Sequence, residues 1–390
     1  MSFRTAILAG AVLPLAYYAV AIASGRRFFA SRGEASGEAD PRSLPPVSIL
    51  KPVRGLDRDS YGNFLRFGDL DYPEYEVIFA VADEDDPAIS IIRRVIEACP
   101  ARPMRLLVGA PVLGESSKVN KLCRLVREAH HDLLVISDSD IRVDRSYLRS
   151  LVEHFSDPRV GLVTSMYTGR REGTLGSVLE SLAIETEFMP SVLVAWRVEG
   201  VRFALGASLA IRRAALDAVG GFEALVDYCA EDFELGRRVA EQGWRVELAA
   251  SPVESECVAT VGDFIRHSLR WAITRRHSRP GGHWGLVLTQ GLPWTAAAVL
   301  AAPSGGLAGT YAGAYLVLRL TLAWTVAVRG LGDRALAKDL WLVPLADALG
   351  FGVWVTSLFG NEIDWRGRRF TLDRGRLIPV AGAARPAVRS

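Results

Sequence analysis

The sequence predicts an α/β domain with a mainly parallel sheet, set between transmembrane helices. Three observations predict it. Short apolar runs alternate with helix-spaced runs from about Val47 to about Pro280. Long apolar stretches gather at the two ends of the 390 residues. Near the middle, the run DLLVISDSD, Asp132 to Asp140, passes through apolar residues and stops on two aspartates.

The first apolar stretch, TAILAGAVLPLAYYAVAIAS from Thr5 to Ser24, has the length of a membrane span and carries no charge. It is too long for a signal peptide, and its basic pair, Arg26 and Arg27, follows it instead of preceding it. The positive-inside rule then places the next segment in the cytoplasm. Residues 1–27 read as an anchor. Residues 28–46 contain SRGEASGEADPRSLPP and read as a linker.

Within 47–280, PVSILKPV, YEVIFAVAD, MRLLVGA and DLLVISD read as strands. DPAISIIRRVIEAC has helical spacing, with Ile89, Ile92, Val95 and Ile96 on one face, and KVNKLCRLVREA reads as a helix. Strands alternating with helices need right-handed crossovers and pair in parallel. Such sheets take ligands beyond the carboxyl ends of their strands, where Asp83 and Asp138 fall. There is no G-x-G-x-x-G after the first strand and no P-loop, which excludes the common dinucleotide and P-loop readings.

The second apolar region, 281–360, holds three stretches near spanning length, with Arg319 and Asp347 inside two of them. Ionisable groups at that depth are expected to pair or to face a polar cavity. Pro344, Gly350 and Gly352 mark the last stretch as a broken helix, re-entrant or interfacial. Three full spans would leave the C-terminus outside, whereas Arg366, Arg368, Arg369, Arg374 and Arg376 in the basic tail 361–390 argue for inside. The net charge of +2 gives no broad basic surface, so a nucleic-acid partner is not expected. Cys99, Cys123, Cys229 and Cys257 form no CxxC pair, consistent with a reduced compartment and no structural zinc.

Four motifs carry chemistry, each with a plainer reading beside it. In SDSD, the hard oxygens of Asp138 and Asp140 suit Mg²⁺ or Mn²⁺ bridging the phosphates of a nucleotide; the plain reading is a solvated turn. In VADEDDPA, Asp86 reads as a helix N-cap before Pro87, or as an acceptor for a nucleotide base. In YCAEDFELG, Glu231 and Asp232 suit a helix dipole, or Asp232 is a general base. In RHSLRWAITRRH, Arg270 and Trp271 suit a membrane surface, or a pyrophosphate held by the guanidinium fork.

The order LKPVRG, DDPA, SKVNKL, DSD, AEDFELG and HSLRW resembles the ceramide glucosyltransferases, glycosyltransferase family 21, membrane relatives of the inverting family 2 transferases with the GT-A fold. The resemblance covers roughly Val47 to Pro280. It implies a cytoplasmic GT-A domain in a multi-pass membrane protein that moves a sugar from a UDP-sugar to a lipid hydroxyl; the compact, Arg- and Ala-rich sequence reads as bacterial, which makes the expected membrane a bacterial inner membrane. It also implies Mg²⁺ or Mn²⁺ at Asp138 and Asp140, a nucleotide-sugar site at Asp86, Lys118, Asp138, Arg270 and Trp271, and Asp232 as the catalytic base. The chain departs from the family's (Gln/Arg)-x-x-Arg-Trp motif at its first position, which is His267, and carries Asp140 where some relatives have Gly. Bacterial relatives also glycosylate hopanoids, so a UDP-N-acetylglucosamine transferase acting on a hopanoid is an alternative. A processive polysaccharide synthase and a non-catalytic membrane scaffold are the other two.

Overall fold

Val47–Pro52, Tyr75–Val81 and Leu133–Ser137 (β1, β2 and β4) are buried along their whole length in the computed structural model, which describes residues 2–31, 44–365 and 367–380. A strand covered on both faces reads as a continuous apolar run, and these three do, apart from single charges such as Lys51 and Glu76. Glu76 is satisfied where it lies: Ser48 Oγ donates to it at 2.7 Å, the His130 backbone N–H at 2.8 Å and Arg105 at 2.9 Å. Met104–Val108 (β3), Val160–Arg170 (β5), Ser208–Arg212 (β6) and Arg245–Glu256 (β7) complete a seven-stranded sheet in the order β3-β2-β1-β4-β6-β5-β7.

β3, β2, β1 and β4 run parallel, as the alternating pattern predicts, while β6 is antiparallel to both β4 and β5. The chain moves outward from β1 through β2 to β3, then returns to place β4 on the other side of β1. That reversal opens a crevice at the carboxyl ends of β1 and β4, the usual ligand position in such sheets. Asp138 is the first residue after β4.

The chain divides into two compact units, one of residues 37–167, 201–256 and 365–390, the other of 1–36, 168–200 and 257–364. In the first unit the basic tail forms more structure than its charge suggested. Arg368–Asp373 (β9) and Arg376–Pro379 (β10) pair as a hairpin, following the short strand Glu362–Trp365 (β8). Arg374 and Gly375 both have positive φ, 47° and 82°, as a tight two-residue hairpin turn requires. Phe370, Leu372 and Leu377 are buried, so the alternation of apolar and charged residues is a half-buried strand pattern. Arg368 pairs with Glu115 at 2.7 Å, and the Gly375 carbonyl and the Leu377 N–H bond to the backbone of Cys229 and Asp227. Arg368, Arg369, Arg374 and Arg376 therefore belong to a folded hairpin. Arg366 and residues 381–390 lie outside the described residues.

The second unit contains four helices long and apolar enough to cross a membrane: Phe3–Ser31, Pro280–Ala301, Gly305–Gly330 and Arg334–Phe359. The first runs on to Ser31, so residues 28–31 of the expected linker are helical; 32–43 of it lie outside the described residues. In the last, the helix passes through Gly350 and Gly352 unbroken. The change of geometry falls earlier, where a 3₁₀ segment, Arg334–Leu342, meets the α-helix beginning at Val343, one residue before Pro344.

Arg319 and Asp347 pair as expected, Nη2 to Oδ1 at 2.7 Å and Nε to Oδ2 at 3.0 Å. Tyr315 donates to the same carboxylate at 2.8 Å, and Arg319 Nη1 donates to the Thr186 carbonyl at 2.8 Å. Removing one member leaves a buried charge uncompensated. Arg319→Met is therefore expected to destabilise the protein by about 3–5 kcal/mol, and adding Asp347→Leu to recover most of that loss. Thermal unfolding in detergent measures both; an Arg319→Met protein as stable as the parent would show the pair to be dispensable.

Candidate active site

The site is built on the turn after β4. The Asp138 N–H donates to the Ala207 carbonyl at 3.2 Å, tying the turn to the start of β6. Arg142 and Glu254 exchange backbone hydrogen bonds at 2.9 and 3.0 Å, which stitches the far side of the turn to the end of β7. Beneath it lies Lys51, fully buried in β1. Its ammonium donates to the Asp138 carbonyl at 2.9 Å and Ser137 Oγ at 3.2 Å, and sits 3.9 Å from the centre of the Phe67 ring. Burial lowers the Lys51 pKa to about 7, against the opposing pull of Asp138, Asp140 and Asp57. A lone lysine in an otherwise apolar strand was the signal for this post; only the fold shows what it supports.

Lys118 stands in the first turn of the helix Ser117–Glu128, whose N-cap is Ser116. Its Nζ lies 2.6 Å from Asp138 Oδ1 and 2.8 Å from Glu231 Oε1. Burial alone would lower its pKa, but Asp138, Glu231 and Asp232 together outweigh that and hold the ammonium above its ordinary value. Glu231 and Asp232 open the helix Glu231–Glu241. The fold thus brings Asp138, Lys118 and Asp232 into one cluster and adds Glu231, which the sequence showed only as the neighbour of Asp232.

The Asp232 pKa is raised to about 7, first by burial and then by Glu231, with Lys118 pulling the other way. A small cavity of about 10 Å³ behind it has Ile136, Leu209 and Leu235 in its wall. Gly206 leaves the room the carboxylate occupies: a Cβ there would stand 2.8 Å from Asp232 Oδ2.

Asp140 accepts a hydrogen bond from Ser255 Oγ of β7 at 2.9 Å. Its pKa is raised to about 6 by burial, then by Asp138 and Asp57. A buried carboxylate crowded by others, as Asp140 is, fits a divalent cation, which would relieve the repulsion. With Lys118 on Oδ1 of Asp138, Oδ2 remains for such an ion. Among the described residues no group of three His, Cys, Asp or Glu side chains could hold a metal alone, so phosphate oxygens and water would complete the shell.

Asp86 is used differently. Both its oxygens accept from the Gly55 N–H, at 2.9 and 3.1 Å, and Oδ1 also accepts from the Ala88 N–H at 2.9 Å. It fixes the loop after β1 and caps the helix Ala88–Ala98, whose preceding residue is Pro87, so the helix starts one residue later than the sequence suggested. Arg270 and Trp271 lie in the second unit, on the helix Val261–Ser278. The His267 ring sits 4.5 Å from that of Trp271, and its Nδ1 meets the buried carboxylate of Glu180. Glu180 also accepts the Val258 N–H, so a carboxylate holds the residue that departs from the family motif.

Comparison with known proteins gives consistent relatives. Ceramide glucosyltransferase 3 of Caenorhabditis elegans is 29% identical over 237 residues, 60% of this chain and 51% of that protein. Ceramide glucosyltransferase 1 of the same organism is 30% identical over 238 residues, 60% of this chain and 50% of that protein. The chain spans about half the length of these curated relatives. Among solved structures, a mannosyltransferase from Pyrobaculum calidifontis in complex with GDP-Man and Mn²⁺ is 18% identical, with a TM-score of 0.49 over 90% of this chain and 99% of that one. The description Glycosyl transferase family 21 matches residues 6–378, nearly the whole length. The chain belongs to glycosyltransferase family 21.

Proposed function

We propose that the protein moves a hexose from a UDP-sugar to the hydroxyl of a membrane lipid with inversion, in the manner of the ceramide glucosyltransferases it resembles. The observation that carries this reading is the cluster of Asp138, Lys118, Glu231 and Asp232 at the crevice of the sheet, with a carboxylate whose pKa is raised to about 7. A general base works best when its pKa lies near the working pH. Asp232 takes the proton of the lipid hydroxyl as that oxygen attacks the anomeric carbon from the face opposite UDP. The bond from that carbon to the UDP oxygen breaks, UDP leaves with the electron pair, and an α-linked donor yields a β-glycoside.

Asp138 and Asp140 would hold a Mg²⁺ or Mn²⁺ ion, which neutralises charge developing on the leaving diphosphate. Lys118 adds a fixed positive charge beside Asp138. Arg270 and Trp271 are assigned to the donor diphosphate, where the guanidinium fork makes paired hydrogen bonds to phosphate oxygens. Asp86 shapes the nucleotide side of the crevice through the loop at Gly55. The four apolar helices suit a multi-pass protein whose acceptor arrives from the bilayer.

The test is transfer of label from UDP-[¹⁴C]glucose and, separately, UDP-N-acetyl[¹⁴C]glucosamine, by purified protein in detergent with Mg²⁺ or Mn²⁺ and either ceramide or a hopanoid polyol. A chloroform-soluble glycolipid with a β-anomeric proton in its NMR spectrum is expected. An insoluble polymer would instead identify a processive synthase, and no metal-dependent UDP binding would identify a scaffold.

A further inference from the structure

The helix that carries Asp232 begins without help from its own side chains. Its N-cap is Ala230, which has no oxygen to accept from the N–H groups of the first turn. The helix that carries Lys118 shows the contrast, because there Ser116 Oγ accepts from the Val119 N–H. Glu231 and Asp232 are the first two residues of the uncapped turn. Such a turn frays unless something outside the helix holds it.

What holds it comes from the other end of the chain. β10 lies antiparallel to the loop just before the helix, with Tyr228 opposite Arg376. The Cys229 N–H donates to the Gly375 carbonyl at 2.9 Å, and the Leu377 N–H donates to the Asp227 carbonyl at 2.7 Å. The Arg376 guanidinium lies 5.3 Å from the centre of the Tyr228 ring, and that of Arg238, on the helix of Asp232, lies 5.2 Å from it. The same hairpin reaches the loop before Lys118, where Arg368 pairs with Glu115 at 2.7 Å. That loop is tied in turn to the first: the Ser116 N–H donates to the Val226 carbonyl at 2.7 Å and the Glu115 N–H to Asp227 Oδ1 at 3.2 Å. Gly114 permits the approach, since a Cβ there would stand 2.6 Å from both Asp227 Oδ1 and Val226 Cγ2. Asp227 joins all three segments, its carboxylate holding one loop and its carbonyl holding the hairpin. The three belong to one compact unit, although the apolar helices from Pro280 to Phe359 lie between them in sequence.

We propose that the C-terminal hairpin is a positioning element of the active site: it clamps the loops before Lys118 and Glu231 together and so sets where Asp232 stands. This rests on the reading above that Asp232 is the base. A base must come within hydrogen-bond reach of the proton it takes, and a misplacement of about 1 Å costs about 10²-fold in rate. The 2.8 Å contact between Lys118 and Glu231 is the joint that the clamp closes.

Three variants of the full-length protein in detergent test it. Gly375→Val puts a β-branched residue at a φ of 82° and opens the hairpin turn. Asp227→Ala removes the acceptor of the Glu115 N–H, whereas Asp227→Asn keeps one. Turnover is expressed per UDP-binding site, counted by calorimetric titration, so that misfolded protein does not register. Gly375→Val and Asp227→Ala are each expected to lower kcat per site about tenfold or more, with metal-supported UDP affinity within about threefold of the parent. Asp227→Asn is expected to keep most of the parent rate, which a residue needed only for its charge would not. Hydrogen exchange read by mass spectrometry should quicken over residues 226–235 in Gly375→Val while β1, β2 and β4 stay protected. Parent-like kcat per site in both Gly375→Val and Asp227→Ala overturns the proposal and leaves the hairpin a fold element only, as does exchange over 226–235 that Gly375→Val leaves unchanged. The exchange arm needs no turnover: a parent inactive with both sugars would overturn the transferase reading, while quicker local exchange would still show the clamp.

Discussion

Asp232→Asn is expected to reduce kcat by about 10²-fold or more while leaving UDP affinity near that of the parent, because a base acts in the chemical step. In the parent, the rate should rise with pH through about 7, where the carboxylate ionises. In the variant that rise should vanish. Stability gives an independent sign. The folded pKa lies above the unfolded carboxylate value, so the stability associated with this group is present at low pH. It declines as pH rises above the unfolded value and is fully lost above about 7. Asparagine has no charge to bury, so at pH 8 the variant should be at least as resistant to thermal unfolding as the parent. A variant that keeps near-normal turnover, or that is less stable at pH 8 with its pH–rate profile intact, would show Asp232 to be a helix-terminus acid with the base elsewhere.

Asp138→Ala is expected to abolish transfer and to remove most of the gain in UDP affinity that Mg²⁺ or Mn²⁺ confers. A loss of about 10²-fold in metal-supported binding corresponds to a few kcal/mol. The same change takes one of two carboxylates from Lys118, which keeps Glu231 at 2.8 Å. The turn itself should survive, because Lys51 grips it through the backbone carbonyl of residue 138 and not through the side chain. Calorimetric titration of UDP with and without metal checks this. Unchanged metal dependence in the variant would move the cation site away from the end of β4.

How much of this was legible in the sequence follows from the range of the interactions. Asp138 was legible because a fully buried parallel strand is a continuous apolar run, and a carboxylate placed at its end stands out. Arg319 and Asp347 were legible because a charge inside an apolar span has few affordable states, and pairing is the commonest. The hairpin β9–β10 was missed: its arginines dominated the reading, although Phe370, Leu372 and Leu377 alternate with them and Arg374-Gly375 supplies the turn.

By itself, the sequence determined the parallel half of the sheet, the apolar helices and the identity of the aspartates, because each depends on residues adjacent in the chain or on one face of one element. The tertiary structure alone decided how those residues are used. It joined Lys118 to Asp138 and Glu231, turned Asp86 toward the backbone of Gly55 and Ala88, and set Lys51 beneath the turn after β4. The physical reason is that a buried charge takes its pKa and its role from whatever lies within a few ångströms of it, and those neighbours come from distant parts of the chain.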